Sequence, residues 1–301
     1  MANTSALFAI GDRVQLTDTK GRKHTVVLAE GKEFHTNKGA IAHDDLIGKP
    51  EGVTVTSTGN YVYLALRPLL SDFVLSMPRG AAVIYPKDAA AIVGLADIYP
   101  GSVVVEAGVG SGALSCSLIR AIGNSGKLHS FERREEFANV ARKNVTNFFG
   151  ETPPNWQIHL GSFEVEGQAI ESGSVDRIIL DMLAPWECVE IATKLLRPGG
   201  VLVAYVATTT QMSKFIEAVR ETKQWTDPAG QELIARNWHV EGLAVRPSHK
   251  MQGHTAFLVV TRRLADGTVL PPRRIRPSKG HDALLEDSPE NLSGTVSQEE
   301  D

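Results

Sequence analysis

Apolar residues follow two regimes along the chain. Up to residue 78 they come in short stretches, such as 14–16 and 25–28, broken by turn formers such as Thr19-Lys20-Gly21-Arg22. Residues 53–56 and 61–64 are β-branched and aromatic runs flanking Ser57-Thr58-Gly59-Asn60, the pattern of a β-hairpin. Residues 1–78 are therefore expected to form a small all-β domain. From Tyr85 the period changes. Pro86 suits a first helical position, and residues 88–93 are rich in helix formers. Residues 103–105 form a continuous apolar run, followed by a glycine-rich turn and a helical pattern to Ala121. Residues 127–131 read as a strand, and 134–149 as a helix with Phe137, Val140 and Ala141 on one face. Further strand-like runs lie at 156–160, 178–180 and 201–206. Strands that are apolar throughout and alternate with helices predict a parallel sheet covered on both faces. Residues 238–245 and 256–261 are expected to be two strands joined by a loop at an antiparallel edge.

Composition narrows the class. At 301 residues the chain has room for about two domains. Its 42% hydrophobic and 22% charged residues exclude a wholly disordered, collagen-like or disulfide-scaffold protein. No run approaches the ~18 apolar residues of a membrane span. No basic residue precedes an apolar run near the N-terminus, so a secretory leader is not expected. Cys116 and Cys188 lie far apart, which fits a reducing cytoplasm and disfavours a zinc site, and no metal-ligand spacing is present. The net charge of −4 hides an asymmetry. Between Gly242 and Gly280, Arg246, Lys250, Arg262, Arg263, Arg273, Arg274, Arg276 and Lys279 face the single acid Asp266. Residues 281–301 then carry seven acids and no Lys or Arg. Residues 266–301 are therefore expected to be a basic linker and a disordered acidic tail.

The most informative segment is 103–114, where a buried strand ends in Gly108-Val109-Gly110-Ser111-Gly112 and opens a helix. Such a turn lets backbone approach a ligand at the carboxyl end of a strand. Glu106, at the strand end, would repel a pyrophosphate but can pair with a cation. Glu132 ends the next strand, 20 residues after Gly112, where an acid hydrogen-bonds a ribose diol. A cationic nucleoside with a ribose and no phosphate is S-adenosylmethionine, which the pattern favours over NAD and over a purely structural turn.

Asp181 follows the apolar run 178–180 and leads into Met182-Leu183-Ala184-Pro185-Trp186. An acid, a proline and an aromatic at a strand end can hold a flat heterocycle by one hydrogen bond and a stacking wall. The bland alternative is that Asp181 caps a helix and Trp186 only packs.

The segments EAGVGSGALS, FERREEFANVARKNV, LDMLAPWE, RPGGVLVAYV and GHTAFLVV, with IYPKDAA and SMPRG before them, resemble the tRNA (adenine-N1)-methyltransferase family that modifies the T-loop adenosine at position 58. The GDRVQLTD opening is similar to actinobacterial members, and the resemblance runs from about residue 11 to 263. It implies an α/β fold: a class I S-adenosylmethionine-dependent methyltransferase domain (Rossmann-like, seven-stranded sheet) over 79–265, behind the small N-terminal β domain. It also implies tRNA as partner, a cytoplasmic homotetramer, and no membrane or metal. By the same resemblance, Glu106, Gly108, Gly110, Ser111, Gly112, Ala113 and Leu114 line the methionine part of the cofactor. Glu132 takes the ribose, and Arg133, Ser162 and Phe163 lie toward the adenine. Asp181 is the catalytic residue beside the cofactor, with Tyr85, Pro185, Trp186, His254, Thr255 and Arg79 as substrate contacts. Ser162 stands where methyltransferases often place an acid, and Glu164 is the residue that can compensate.

In that chemistry adenine N1 becomes cationic on methylation. A carboxylate accepting a hydrogen bond from the exocyclic N6 raises N1 nucleophilicity and stabilises the developing charge. The nucleotide has to be flipped into the pocket. Arg79, Lys87 and the basic 242–280 region are candidate phosphate contacts. Two other readings compete: a methyltransferase of small molecules or protein isoaspartate, and an RNA-binding subunit without catalysis. The intact glycine turn, Glu132 and Asp181 argue against the last.

Overall fold

The computed structural model describes residues 7–271, so the acidic tail and Arg273, Arg274, Arg276 and Lys279 lie outside the described residues. Six strands open the chain: β1 (Arg13–Asp18), β2 (Lys23–Val27), β3 (Glu33–Thr36), β4 (Gly39–Ala42), β5 (Thr54–Thr56) and β6 (Val62–Leu66). Four of them form an antiparallel sheet in the order β2-β1-β6-β5, while β3 and β4 pair separately. The alternation of side chains along a strand selects the inner face, placing Val14 and Leu16 of β1 and Tyr63 and Ala65 of β6 in one core with Phe8, Leu28, Ile41 and Leu46.

The all-β reading to residue 78 runs too far. Residues 70–76 are the helix α1 (Leu70–Ser76). Leu70, Phe73, Val74 and Met77 recur at helical spacing and pack against Ile92 and Leu114 of the next core rather than into the β module. Helix α2 (Pro86–Leu95) follows, with Pro86 at its first turn as its fixed φ favours.

Then β7 (Val103–Ala107), α3 (Ala113–Ile122), β8 (Lys127–Glu132), α4 (Glu135–Phe149), β9 (Trp156–Leu160), α5 (Phe163–Glu166), β10 (Val175–Asp181), α6 (Val189–Leu195), β11 (Leu196–Val206) and α7 (Thr209–Glu221) alternate. After them come β12 (Ala229–Glu232), β13 (Trp238–Glu241), β14 (Ala244–Pro247) and β15 (Phe257–Arg262). The large sheet has seven strands in the order β12-β15-β11-β10-β7-β8-β9. From β11 to β9 the neighbours are parallel, and β15 runs antiparallel to β11. Each face of this sheet has its own core. Ile179, Val201 and Val203 pack with Ile92 and Leu118, whereas Ile178, Leu180 and Leu202 pack with Ile191 and Phe215. Truncating Ile178 or Ile179 to Ala opens a cavity in a different layer, at about 2–5 kcal/mol each.

The antiparallel edge differs from expectation. Residues 238–245 do not join the sheet: β13 and β14 pair only with each other, because Gly242, at φ +54, turns the chain in the middle of that run. The edge beside β15 is instead β12, the polar sequence Ala-Gly-Gln-Glu. From Gly267 the described chain carries no helix or strand.

The path β7 to β8 to β9 builds one side of the sheet, and the chain then returns to place β10 on the other side of β7. Carboxyl ends on either side of such a switch point leave a crevice.

Candidate active site

The crevice is shaped by bare backbone. Gly108 has φ +94, and a Cβ there would fall 1.8 Å from the Asp181 carbonyl oxygen, so glycine lets the ends of β7 and β10 close together. Gly112, at φ +78, would carry a Cβ 3.2 Å from Ala141, which is how α3 starts tightly against α4. Over this turn lies the loop between α1 and α2. Ser111 Oγ accepts the Gly80 and Ala81 N–H groups at 3.2 and 3.4 Å. Buried Asn144 of α4 donates through Nδ2 to the carbonyls of Pro78 and Ser111, both at 2.9 Å. One side chain thus ties loop and turn together.

Three acids converge here. Glu106 is buried, and its Oε2 accepts hydrogen bonds from Ser115 at 2.6 Å and Ser130 at 2.7 Å, while Oε1 has no partner among the described residues. Burial pushes its carboxyl up to about 7 against the two serine bonds, and the Asp181 and Glu132 charges add to the rise. Trp156 Nε1 donates to Ser130 Oγ at 2.9 Å and closes this network. Glu132 accepts the Gly110 N–H at 3.0 Å and the Arg134 N–H at 3.1 Å. Asp181, on the other side of the crevice, is also pushed up to about 7, first by burial and then by Glu132. Such a site suits a cation.

Two contiguous hollows of about 500 and 470 Å³ share Gly108, Glu132, Arg134, Asp181, Met182 and Leu183. The first continues along Phe131, Arg133, Gly161 and Phe163, and the second along Gly110, Tyr85, Tyr205, His254 and Thr255. Gly108, Gly110, Glu132, Arg133, Phe163, Asp181, Tyr85, His254 and Thr255 are therefore brought together as the sequence suggests.

Others are not. Glu106 lies behind the floor, held by its serines, and Ser111, Gly112, Ala113 and Leu114 line neither hollow. Ser162 is likewise outside the lining, as is Glu164, which accepts from Arg133 at 2.7 Å. Trp186 is no wall for this cleft: the turn at Pro185–Cys188 directs it toward α7, where the Lys214 ammonium sits 3.9 Å from its ring centroid. Trp186 borders a separate hollow of about 710 Å³ that contains none of the three acids. Pro185 is buried beneath. Arg79 is exposed outside the cleft and donates to the Leu75 carbonyl at 2.7 Å. Lys87 is no free phosphate contact, since its ammonium binds Asp88 at 2.7 Å, the Leu233 carbonyl at 2.8 Å and Thr255 Oγ1 at 2.6 Å. Arg263 is buried and donates to Thr193 and Asp266, and Arg262 donates to the Gly199 carbonyl.

The residue that sequence reasoning missed is Tyr205. It faces Asp181 in the register of β10 and β11, and lies within 3.4 Å of Asp88. Its one signal is a hydroxyl at the end of an otherwise apolar strand. His254 is fixed by Glu232 at 2.6 Å and the Ala207 carbonyl at 2.8 Å, and the Glu232 hydrogen bond holds its imidazole above the usual range.

Comparison with known proteins adds the following. A family model described as tRNA methyltransferase complex GCD14 subunit matches residues 60–243, and one described as TrmI-like N-terminal matches residues 7–55. The tRNA (adenine(58)-N(1))-methyltransferase TrmI of Thermus thermophilus is 38% identical over 249 residues, covering 82% of this chain and 95% of its own length. The tRNA (adenine(57)-N(1)/adenine(58)-N(1))-methyltransferase TrmI of Methanocaldococcus jannaschii is 32% identical over 268 residues, covering 82% and 93%. Among solved structures, the tRNA (m1A58) methyltransferase TrmI from Aquifex aeolicus matches with TM-score 0.76 at 27% identity, over 86% of this chain and 99% of that one. A SAM-dependent O-methyltransferase from Thermotoga maritima matches with TM-score 0.82 at 27% identity, over 88% and 97%.

Proposed function

The chain belongs to the GCD14/TrmI family of tRNA methyltransferases, and from that membership we propose that it transfers a methyl group from S-adenosylmethionine to N1 of adenosine 58 in the T-loop of tRNA. The observation that carries this reading is the meeting of Gly108, Glu132 and Asp181 at the switch point, in two hollows that share all three.

The residues fit the methyl donor. The cleft is acid-rich, as a sulfonium cation requires; its floor is bare backbone at Gly108; and Glu132 stands at its rim as a ribose acceptor. Gly108 and Gly110 would hold the amino-acid part, and Phe131, Phe163 and Arg133 the adenine. Glu106 supports from behind by fixing Ser115 and Ser130. When bound, S-adenosylmethionine supplies an activated methyl group, so the protein's task is alignment.

Asp181 acts on the substrate base. As a carboxylate it accepts the N6 hydrogen bond, which makes N1 more nucleophilic and stabilises the positive charge that methylation creates. The proton later lost from the cationic product leaves to water. Tyr85, Tyr205 and Leu183 wall the flipped base from solvent, and Lys87 and Glu232 orient Thr255 and His254 at its edge. Pro185, Trp186 and Arg79 take no part in this arrangement.

We assign the protein to the cytoplasm, where two buried free thiols fit the reducing conditions. Among the described residues no helix is long and apolar enough to cross a membrane, and no group of three or more potential metal ligands gathers. A homotetramer would cover the β13–β14 ribbon, whose Trp238, Val240, Leu243 and Val245 are exposed.

The test is transfer of labelled methyl from S-adenosylmethionine to unmodified tRNA transcript, with nucleosides identified. N1-methyladenosine, absent when adenosine 58 is replaced by guanosine, is expected. Label on O-linked, protein or small-molecule acceptors alone would overturn the reading.

A further inference from the structure

Three turns meet at one end of the β module. β1 and β6 are paired with Asp18 opposite Tyr63, so the β1–β2 turn, with Lys20, reaches the same end as Tyr61. The β3–β4 turn is locked onto the β5–β6 turn. A Cβ on Gly39 would lie 2.5 Å from Gly59 N, so the two backbones touch. Ser57 Oγ donates to the Lys38 carbonyl at 2.6 Å, Thr58 N donates to the Ala40 carbonyl at 2.9 Å, and Ala40 N donates to Thr58 Oγ1 at 3.0 Å. Asn60 is held at φ +62, a conformation side-chain-bearing residues seldom adopt. The clamp presents Lys38 with its ammonium 3.9 Å from the centroid of the Tyr61 ring, and Tyr61 remains 44% exposed.

The charge here is positive and uncompensated. Asp18 is buried and accepts hydrogen bonds from Lys20 N, Arg22 N and Arg22 Nε, and Lys23 is matched by Asp72 at 2.6 Å. Among the described residues no carboxylate pairs with Lys20 or Lys38. The rest of the surface is Thr19, Asn37, Thr58 and Asn60, all exposed and polar. Clamped turns that bury their one carboxylate, Asp18, and offer ammonium groups around an aromatic ring fit a nucleic-acid backbone and an unstacked nucleotide.

Resting on the tRNA reading above, we propose that this turn end is a second RNA contact: Lys20 and Lys38 take phosphates of the tRNA, and Tyr61 offers its ring to the adjoining nucleotide. Preorganisation by the glycine clamp lowers the ordering cost of that contact.

The experiment measures methylation against tRNA concentration at several salt concentrations, for wild type, Lys20→Ala/Lys38→Ala, Lys38→Arg and Tyr61→Ala. The double variant is expected to raise the KM for tRNA about tenfold at low salt, with kcat and S-adenosylmethionine affinity unchanged. Each lost phosphate contact reduces the slope of log affinity against log salt by about one. Lys38→Arg retains the wild-type slope, and Tyr61→Ala raises KM without changing it. Equal unfolding midpoints show that the variants fold. A KM and slope equal to wild type would overturn the proposal, as would a change in oligomeric mass with no change in slope. A wild type that binds tRNA with this salt dependence yet methylates none would sink the function reading and leave the surface standing.

Discussion

At the cleft between β7 and β10, Glu132 and Asp181 line the hollows with Glu106 behind them, and burial pushes the Glu106 and Asp181 carboxyls up to about 7. At the turn end of the β module Asp18 is held by its own turn, Lys20 is exposed, and Lys38 is half-buried with its ammonium over the Tyr61 ring. Both regions are built by glycines at close backbone approaches, yet they use charge differently. Buried charge sets protonation state and reactivity, so the loss of one group is felt in full. Exposed charge is screened, so its effects are modest, additive and salt-dependent.

Asp181→Ala should mark the extreme of that contrast. It removes the acceptor for N6, and kcat is expected to fall about 10²–10³-fold with little change in S-adenosylmethionine affinity. Calorimetric titration beside the kinetics checks both; a loss of binding equal to the loss of rate would give Asp181 a cofactor role instead. Glu132→Ala should do the opposite. We expect the Kd for S-adenosylmethionine to rise about 10–100-fold, with tRNA affinity held, by the same titration.

Asn144→Ala tests how far the cleft depends on its cover. Two carbonyls lose their donor, at about 1–3 kcal/mol, so the unfolding midpoint should drop by several degrees and S-adenosylmethionine should bind more weakly. Unchanged binding would show that the loop at 77–85 closes without this tie.

The smallest effect concerns stability and pH. Glu106 and Asp181 have folded values near 7, above their ordinary values of 4.5 and 3.8. The stability they contribute is fully present below about 4 and is lost as pH rises through about 7. Glu106→Gln keeps a serine acceptor and removes one of the two titrations. Its unfolding midpoint should therefore fall less than that of the wild type between about pH 5 and 8, by scanning calorimetry.

The parts of the cleft legible in the sequence are those fixed by chain-local rules. A buried strand followed by glycines requires a close approach, and acids one residue beyond apolar runs must stand at strand ends; so Gly108, Glu132 and Asp181 are found where expected. Direction after the strand is another matter. Trp186 is the second residue of the turn at Pro185–Cys188, whose orientation is set by packing on α7, and nothing nearby in sequence says that it faces Lys214. Lys87 reads as a surface cation because its partners Leu233 and Thr255 are 146 and 168 residues away. Strand β12 carries no apolar alternation and exists by pairing with β15. Helix α1 was readable from its stripe at 70, 73, 74 and 77, but that stripe sits at the end of a long β pattern that masks it.

The most direct test of the account is the pH dependence of single-turnover methyl transfer to tRNA, in wild type and in Asp181→Asn. If the ionised carboxylate accepts the N6 hydrogen bond, the wild-type rate rises with pH through about 7 and levels off, while Asp181→Asn is slow and flat across the same range. An asparagine variant that retains the wild-type rate and profile would contradict the role of Asp181, and with it the central claim about the cleft.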